Sequence, residues 1–248
     1  MKASIAFVVV AVGALCAPAF AGPVSYSFSS GGRSASATFS ASGGILTVDL
    51  SNTSLSDALV PTDILTGIFF EMVGNPLLGR ISAKVPIGNE VYTGGTGAII
   101  TPGDRVVGGE WAYENSIVAV PPNNEGISSS GFSIFGPGDL FPGPDLEPPA
   151  SPDGVQYGIT TAGDNLLTGN GGISNTGLIK SAVQFKLSGF VGEPDAIIAS
   201  AFFQYGTGLD EPGFPGFTPG DLPEPSSIAL LAIGMGAIVA CRRRFKAK

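Results

Sequence analysis

Apolar and polar residues alternate with period two in three successive stretches near the start of the chain: Val24-Ser-Tyr-Ser-Phe-Ser29, Ala35-Ser-Ala-Thr-Phe39 and Leu46-Thr-Val-Asp-Leu50. Successive side chains of a strand point to opposite faces, so this pattern predicts three half-buried strands. Residues 64–73 (ILTGIFFEMV) are apolar almost throughout, which predicts a strand covered on both faces. Further strands are expected over Arg80–Val85, Trp111–Val120, Leu178–Leu187 and Ile197–Tyr205. Glycine and proline punctuate the gaps, with Pro-Gly pairs at 102–103, 137–138, 142–143, 212–213, 215–216 and 219–220. No stretch of the body carries an apolar stripe of period 3.6. The expectation is an all-β protein with one β-sandwich or jelly-roll-like domain over residues 22–210. Residues 123–152, dense in proline and glycine, are expected to form a long surface loop. Residues 211–222 read as a semi-extended Pro/Gly-rich spacer.

Both ends depart from this pattern. Met1-Lys2 precedes an apolar run from Ile5 to Leu15 and the small-x-small sequence Ala19-Phe20-Ala21. That is a signal peptide over residues 1–21, with cleavage expected between Ala21 and Gly22. At the other end, the fourteen residues Ile228–Cys241 carry no charge. As a helix they would extend about 21 Å, and with Pro225 to Ser227 roughly 25 Å, the lower edge of a membrane span. Arg242, Arg243 and Arg244, with Lys246 and Lys248, follow directly and would stay cytoplasmic as a stop-transfer signal. Signal peptide and transmembrane helix together place the body outside the cytoplasm.

The tail has a third part. Pro223-Glu224-Pro225 stands immediately before the apolar run. Tripeptide, short apolar span and Arg-rich terminus, over residues 223–248, resemble the PEP-CTERM sorting signal of bacterial surface proteins. The resemblance implies processing by exosortase, a membrane-embedded enzyme, as partner. Pro223, Glu224 and Pro225 would then be a motif read by another enzyme. It also implies an inner-membrane intermediate, followed by the cell surface or extracellular matrix. The body, through Gly108-Gly-Glu-Trp-Ala-Tyr113, Gly126-Ile-Ser-Ser-Ser-Gly131, the 157–172 stretch and Phe203-Gln-Tyr-Gly-Thr207, resembles one family of exosortase-dependent surface proteins. That family brings no assigned activity with it.

Charge sharpens the picture. Between Gly22 and Leu222 stand nineteen carboxylates and six cations, a net of −13 hidden within the whole-chain −8. A body this acidic has no footprint for nucleic acid. Cys16 and Cys241 both lie in the targeting segments, so the body has no disulfide and depends on packing. The chain contains no histidine, which removes histidine-based triads and His-ligated metals. A carboxylate pair drawn from Glu110, Glu114, Asp153 and Asp164 is the remaining hydrolytic option, and the expectation is a non-enzyme.

Two binding chemistries stay open. Asp164, Asn165 and Asn170 put oxygen ligands on a Gly-rich loop, as calcium prefers, although Asp and Asn also serve turns. Asp139, Asp145, Glu147 and Asp153 offer a second oxygen set. Trp111, Tyr113, Tyr157, Phe132, Phe135 and Phe141 could stack on an extracellular polysaccharide. An envelope or matrix component with no cofactor is the first reading. A calcium- or polysaccharide-binding adhesion module is the alternative.

Overall fold

A computed structural model describes residues 22–219. Residues 1–21 and 220–248, with the expected signal peptide, Pro223-Glu224-Pro225, the apolar run and the arginines, lie outside the described residues. The described part is all-β: β1 (Val24–Ser30), β2 (Arg33–Ser42), β3 (Ile45–Asn52), β4 (Leu65–Met72), β5 (Gly79–Lys84), β6 (Val91–Thr93), β7 (Ala98–Ile99), β8 (Ala112–Asn115), β9 (Glu125–Ser128), β10 (Ile159–Thr160), β11 (Gly177–Lys180), β12 (Ala182–Ser188), β13 (Ile198–Tyr205) and β14 (Gly213–Pro215). A single helical turn, Pro194–Ile197, precedes β13. Among the described residues no helix is long and apolar enough to cross a membrane.

The predicted alternation builds the smaller sheet, ordered β1-β2-β3-β12-β5. Tyr26 and Phe28, then Ala35, Ala37 and Phe39, then Leu46, Val48 and Leu50 point inward. Serines, threonines and Asp49 fill the outward positions between them. Gly31-Gly32 and Gly43-Gly44 close the two hairpins, all four with positive φ, the geometry that two-residue turns require.

The larger sheet runs β14-β13-β4-β10-β11-β6-β7, with β9 on β4 and β8 on β9. Its centre, β4, pairs with β13 along one edge and with β9 and β10 along the other. Both its faces are covered, which explains its unbroken apolar run. Ile68 and Phe70 face the core shared with the smaller sheet. Phe69 packs on the far side with Ala112, Ile117, Phe132 and Phe135. Aromatic pairs join the sheets: Phe39 and Phe70 (centroids 5.2 Å apart), Phe28 and Phe203 (5.3 Å), Trp111 and Phe185 (4.9 Å).

Four expectations are corrected. Leu178–Leu187 is two strands in different sheets, because Ser181 (φ 78°) turns the chain from one sheet to the other. The strand expected over Trp111–Val120 stops at Asn115, where Ser116 takes φ 59°. Residues 123–152 are not all surface loop: β9 is fully buried against β4. The spacer expected over 211–222 is part of the fold as far as Phe217. Gly213–Pro215 pairs with β13, and Phe217 exchanges both backbone hydrogen bonds with Ser27 (2.9 and 3.0 Å). The reason is apolar: Phe214 stacks on Phe28 at 4.5 Å and 10°. Pro215 sits on an edge strand, where its missing N–H costs no ladder bond.

Truncating an inter-sheet ring should therefore be severe. Phe70→Ala is expected to lower unfolding free energy by about 3–5 kcal/mol in urea denaturation. Val73→Ala, at an exposed position just beyond the same strand, should change it by no more than about 0.5 kcal/mol. Equal effects would contradict the two-sheet core.

Candidate functional site

The strap from Gly213 to Phe217 leads toward the tail. It starts on β13 of the larger sheet and ends on β1 of the smaller one. Gly216 marks the crossing, and its N–H donates to the Ala201 carbonyl (2.8 Å). A side chain there would meet the Phe203 ring at 2.9 Å and Tyr26 Cβ at 3.0 Å, so only glycine fits without displacement. Because Phe217 pairs antiparallel with Ser27, the chain leaves toward the start of β1. Gly22, where the signal peptide is expected to be cut, is exposed just before that strand. Both ends of the body thus emerge at one corner.

The oxygen ligands expected for calcium have structural employment. One Asp164 oxygen accepts the Ala58 N–H (2.8 Å), and the other accepts the Tyr92 hydroxyl (2.5 Å). The Asn165 side chain accepts the Leu167 N–H (3.3 Å), and Asn170 accepts Gly172 N–H (2.9 Å). Backbone N–H groups of Asn165 and Asn170 donate to Asp57 and to the Leu59 carbonyl. The three residues share one loop and fasten it to residues 57–59. Among the described residues no group of three or more His, Cys, Asp or Glu is placed to hold a metal.

Of the carboxylates considered for hydrolysis, Glu110, Glu114 and Asp164 accept backbone N–H groups from different segments. Buried Glu110 accepts N–H groups of Leu146 (2.5 Å) and Glu147 (3.1 Å), and Glu147 accepts Gly177 N–H (2.7 Å). These bonds pin the proline-rich excursion to the body. Gly108 and Gly109 let it approach, since a side chain on either would collide with the Pro142 or Pro144 carbonyl. The structure brings Glu114 toward a different partner, Asp139. Burial, followed by the Asp139 charge, pushes the Glu114 carboxyl upward. Arg80 lies 3.8 Å from Asp139, and the three line a surface hollow of about 380 Å³. Sequence spacing gave no sign of this trio, which assembles from β5, β8 and the excursion.

Glu125, on buried β9, was not anticipated at all. One of its oxygens accepts the Tyr113 hydroxyl (2.5 Å), while the other is buried without a partner. Desolvation raises both Glu125 and Glu110 from 4.5 to about 7.

The aromatic set expected to stack on sugar is core. Trp111 is 0% exposed, with Nε1–H donating to the Tyr157 carbonyl (3.2 Å), and Tyr113, Tyr157, Phe132, Phe135 and Phe141 are all buried. A buried ring has no face for a ligand. The exposed aromatic surface lies instead on the strap, at Phe217, which is 42% exposed. It borders a groove of about 570 Å³ with Phe28, Phe214, Pro215 and five Ser or Thr residues.

Residues 221–244 match the PEP-CTERM protein-sorting motif, so the chain carries this signal for exosortase-dependent sorting of a surface protein. The match begins four residues after Phe217, which pairs with Ser27 of the body. No curated protein and no solved structure matches the chain.

The buried carboxyls make a pH prediction. Their folded-state values lie above their ordinary ones, so the folded protein holds protons that the unfolded chain releases. Their contribution is complete below about pH 4.5 and is lost as pH rises through about 7. Urea denaturation is expected to show stability falling between those limits by a few kcal/mol. Glu125→Gln, which keeps the acceptor for Tyr113 but cannot ionise, should reduce the fall by about half, the share of one of two equal groups. An unchanged slope would contradict the assignment.

Proposed function

We propose that the chain is an exported, non-enzymatic surface protein whose all-β sandwich body is delivered to the cell surface or extracellular matrix by exosortase. The match to the PEP-CTERM motif at residues 221–244 carries this reading. In it, residues 1–21 are removed as a signal peptide between Ala21 and Gly22. The Ile228–Cys241 helix then holds an inner-membrane intermediate, with Arg242, Arg243 and Arg244 on the cytoplasmic side. Exosortase reads Pro223-Glu224-Pro225 and cuts there. Structural support comes from the strap, whose Phe217, paired with Ser27, stands six residues before Pro223. Six extended residues reach at most about 20 Å, so the enzyme would meet the motif with the folded body close by.

A non-enzymatic body fits a chain without histidine whose only cysteines, Cys16 and Cys241, flank the domain. It also fits Glu110, Glu125 and Asp164 serving as acceptors for protein donors. The calcium form of the alternative has weaker support, because Asp164, Asn165 and Asn170 already accept hydrogen bonds within the protein.

The test compares wild type with a variant carrying alanine at positions 223–225, by fractionation and intact mass in the native host. Wild type is expected to start at Gly22, end near Pro225 and reach the surface or medium. The triple variant should stay full length in the inner membrane. Full-length protein in the membrane for both would refute exosortase processing.

A further inference from the structure

The groove beside the strap continues into a second hollow. The first is lined by residues of β1, the β2 start and the strap, and occupies about 570 Å³. The second, of about 340 Å³, is lined by Ser36, Ser51, Ser54, Ser181 and neighbours. Thr53 belongs to both. Together they have seventeen lining residues, of which nine are Ser or Thr and none is Asp, Glu, Lys or Arg. In a body of net charge −13, an uncharged trough of this size selects against ionic ligands. Arg33 and Lys180 each adjoin a lining residue in sequence, and Arg33 is engaged by Asp63 (2.8 Å) and the Thr62 carbonyl (2.7 Å).

The hydroxyls have direction. Ser27 pairs with Ser36, and Ser36 with Ser51, so one row crosses three strands from the first hollow to the second. Neighbouring strands are about 4.8 Å apart, which makes the row roughly 10 Å long. An apolar ligand would leave these hydroxyls without partners, and a carboxylate or phosphate would find no cation among the lining residues. A neutral polyhydroxylated chain satisfies them, donor to acceptor along its length. The exposed Phe217 ring offers the apolar C–H face of a pyranose a surface at one end.

We propose that this trough binds an uncharged polysaccharide chain laid along the Ser27–Ser36–Ser51 row, with one sugar ring stacked on Phe217. This sharpens the polysaccharide-binding alternative and rests on the surface-protein reading only for access to such a chain. It moves the sugar contact from the buried Trp111 set to the strap and the serine face.

The experiment titrates the full-length chain in detergent micelles with cellohexaose, laminarihexaose and maltohexaose by calorimetry. Hexagalacturonate serves as the anionic comparison. Saturable binding of at least one neutral probe is expected. Phe217→Ala and, separately, Ser36→Glu should each weaken it by about tenfold or more, the size of effect seen on removing a contact anchor or burying a charge. Ser36→Glu lies on an outward strand position, so it tests the trough even if Phe217→Ala loosens the strap. Asp104→Asn, outside the trough, should leave binding unchanged. Binding of no neutral probe, binding that survives both trough substitutions, or equally tight binding of hexagalacturonate would overturn the proposal. Because the readout is binding by the isolated chain, its failure would leave the sorting reading untouched, and failed sorting would leave a positive titration standing.

Discussion

Everything in the body depends on holding two sheets together without a covalent link. Both cysteines lie outside residues 22–222, so no disulfide can tie strand to strand there. The work falls to packed rings: Phe39 on Phe70, Phe28 on Phe203, and Trp111 and Phe141 on Phe185. Each buried ring contributes on the order of 1.5–3 kcal/mol of transfer free energy. That constraint explains why the aromatic side chains at the sheet interface face inward, Trp111 among them. It also explains why carboxylates such as Asp49, Glu71 and Glu114 are kept off the fully buried positions of their strands. Where carboxylates do enter the interior, as at Glu110 and Glu125, they accept N–H or hydroxyl donors and are shifted toward the protonated form.

The strap extends the same logic to the C-terminal end of the body. Pro215 closes an edge of the larger sheet, and Phe217 closes an edge of the smaller one. An exposed strand edge is a template for unwanted pairing, and the strap covers part of both. Its position just ahead of residues 221–244 ties fold to fate. The final clasp of the body and the sorting motif are neighbours in sequence, so removal of everything beyond the motif takes away none of the contacts described here.

How far the sequence could be read followed from what stabilises each element. β1, β2 and β3 were plain because one face is wet and one dry, and the alternation records it. β4 was plain because both faces are dry. β6, β7, β10 and β14 are two or three residues long, and only their partners make them strands. β9 hid because Glu125-Gly-Ile-Ser128 reads as polar turn. It is buried because Tyr113 bonds Glu125 and because Gly126 leaves room for Phe69, Ile117 and Phe135. The sorting motif was fully legible, since a recognition sequence is read by another enzyme as linear chain. The trough was not, because outward serines on a strand look like ordinary solvent-facing positions until the register lines them up. The Arg80, Glu114 and Asp139 trio was hidden for the same reason, its members coming from distant segments.

The folded body runs through Phe217 and is clasped there, shortly before residues 221–244. Hydrogen exchange of the full-length chain, resolved at Ser27, Gly216 and Phe217, tests it most directly. These amides are expected to be protected, and Phe28→Ala or Phe214→Ala to accelerate exchange selectively at Phe217 while β3 and β12 remain protected. Exchange at Gly216 and Phe217 in the wild type as fast as in an unfolded peptide would contradict it.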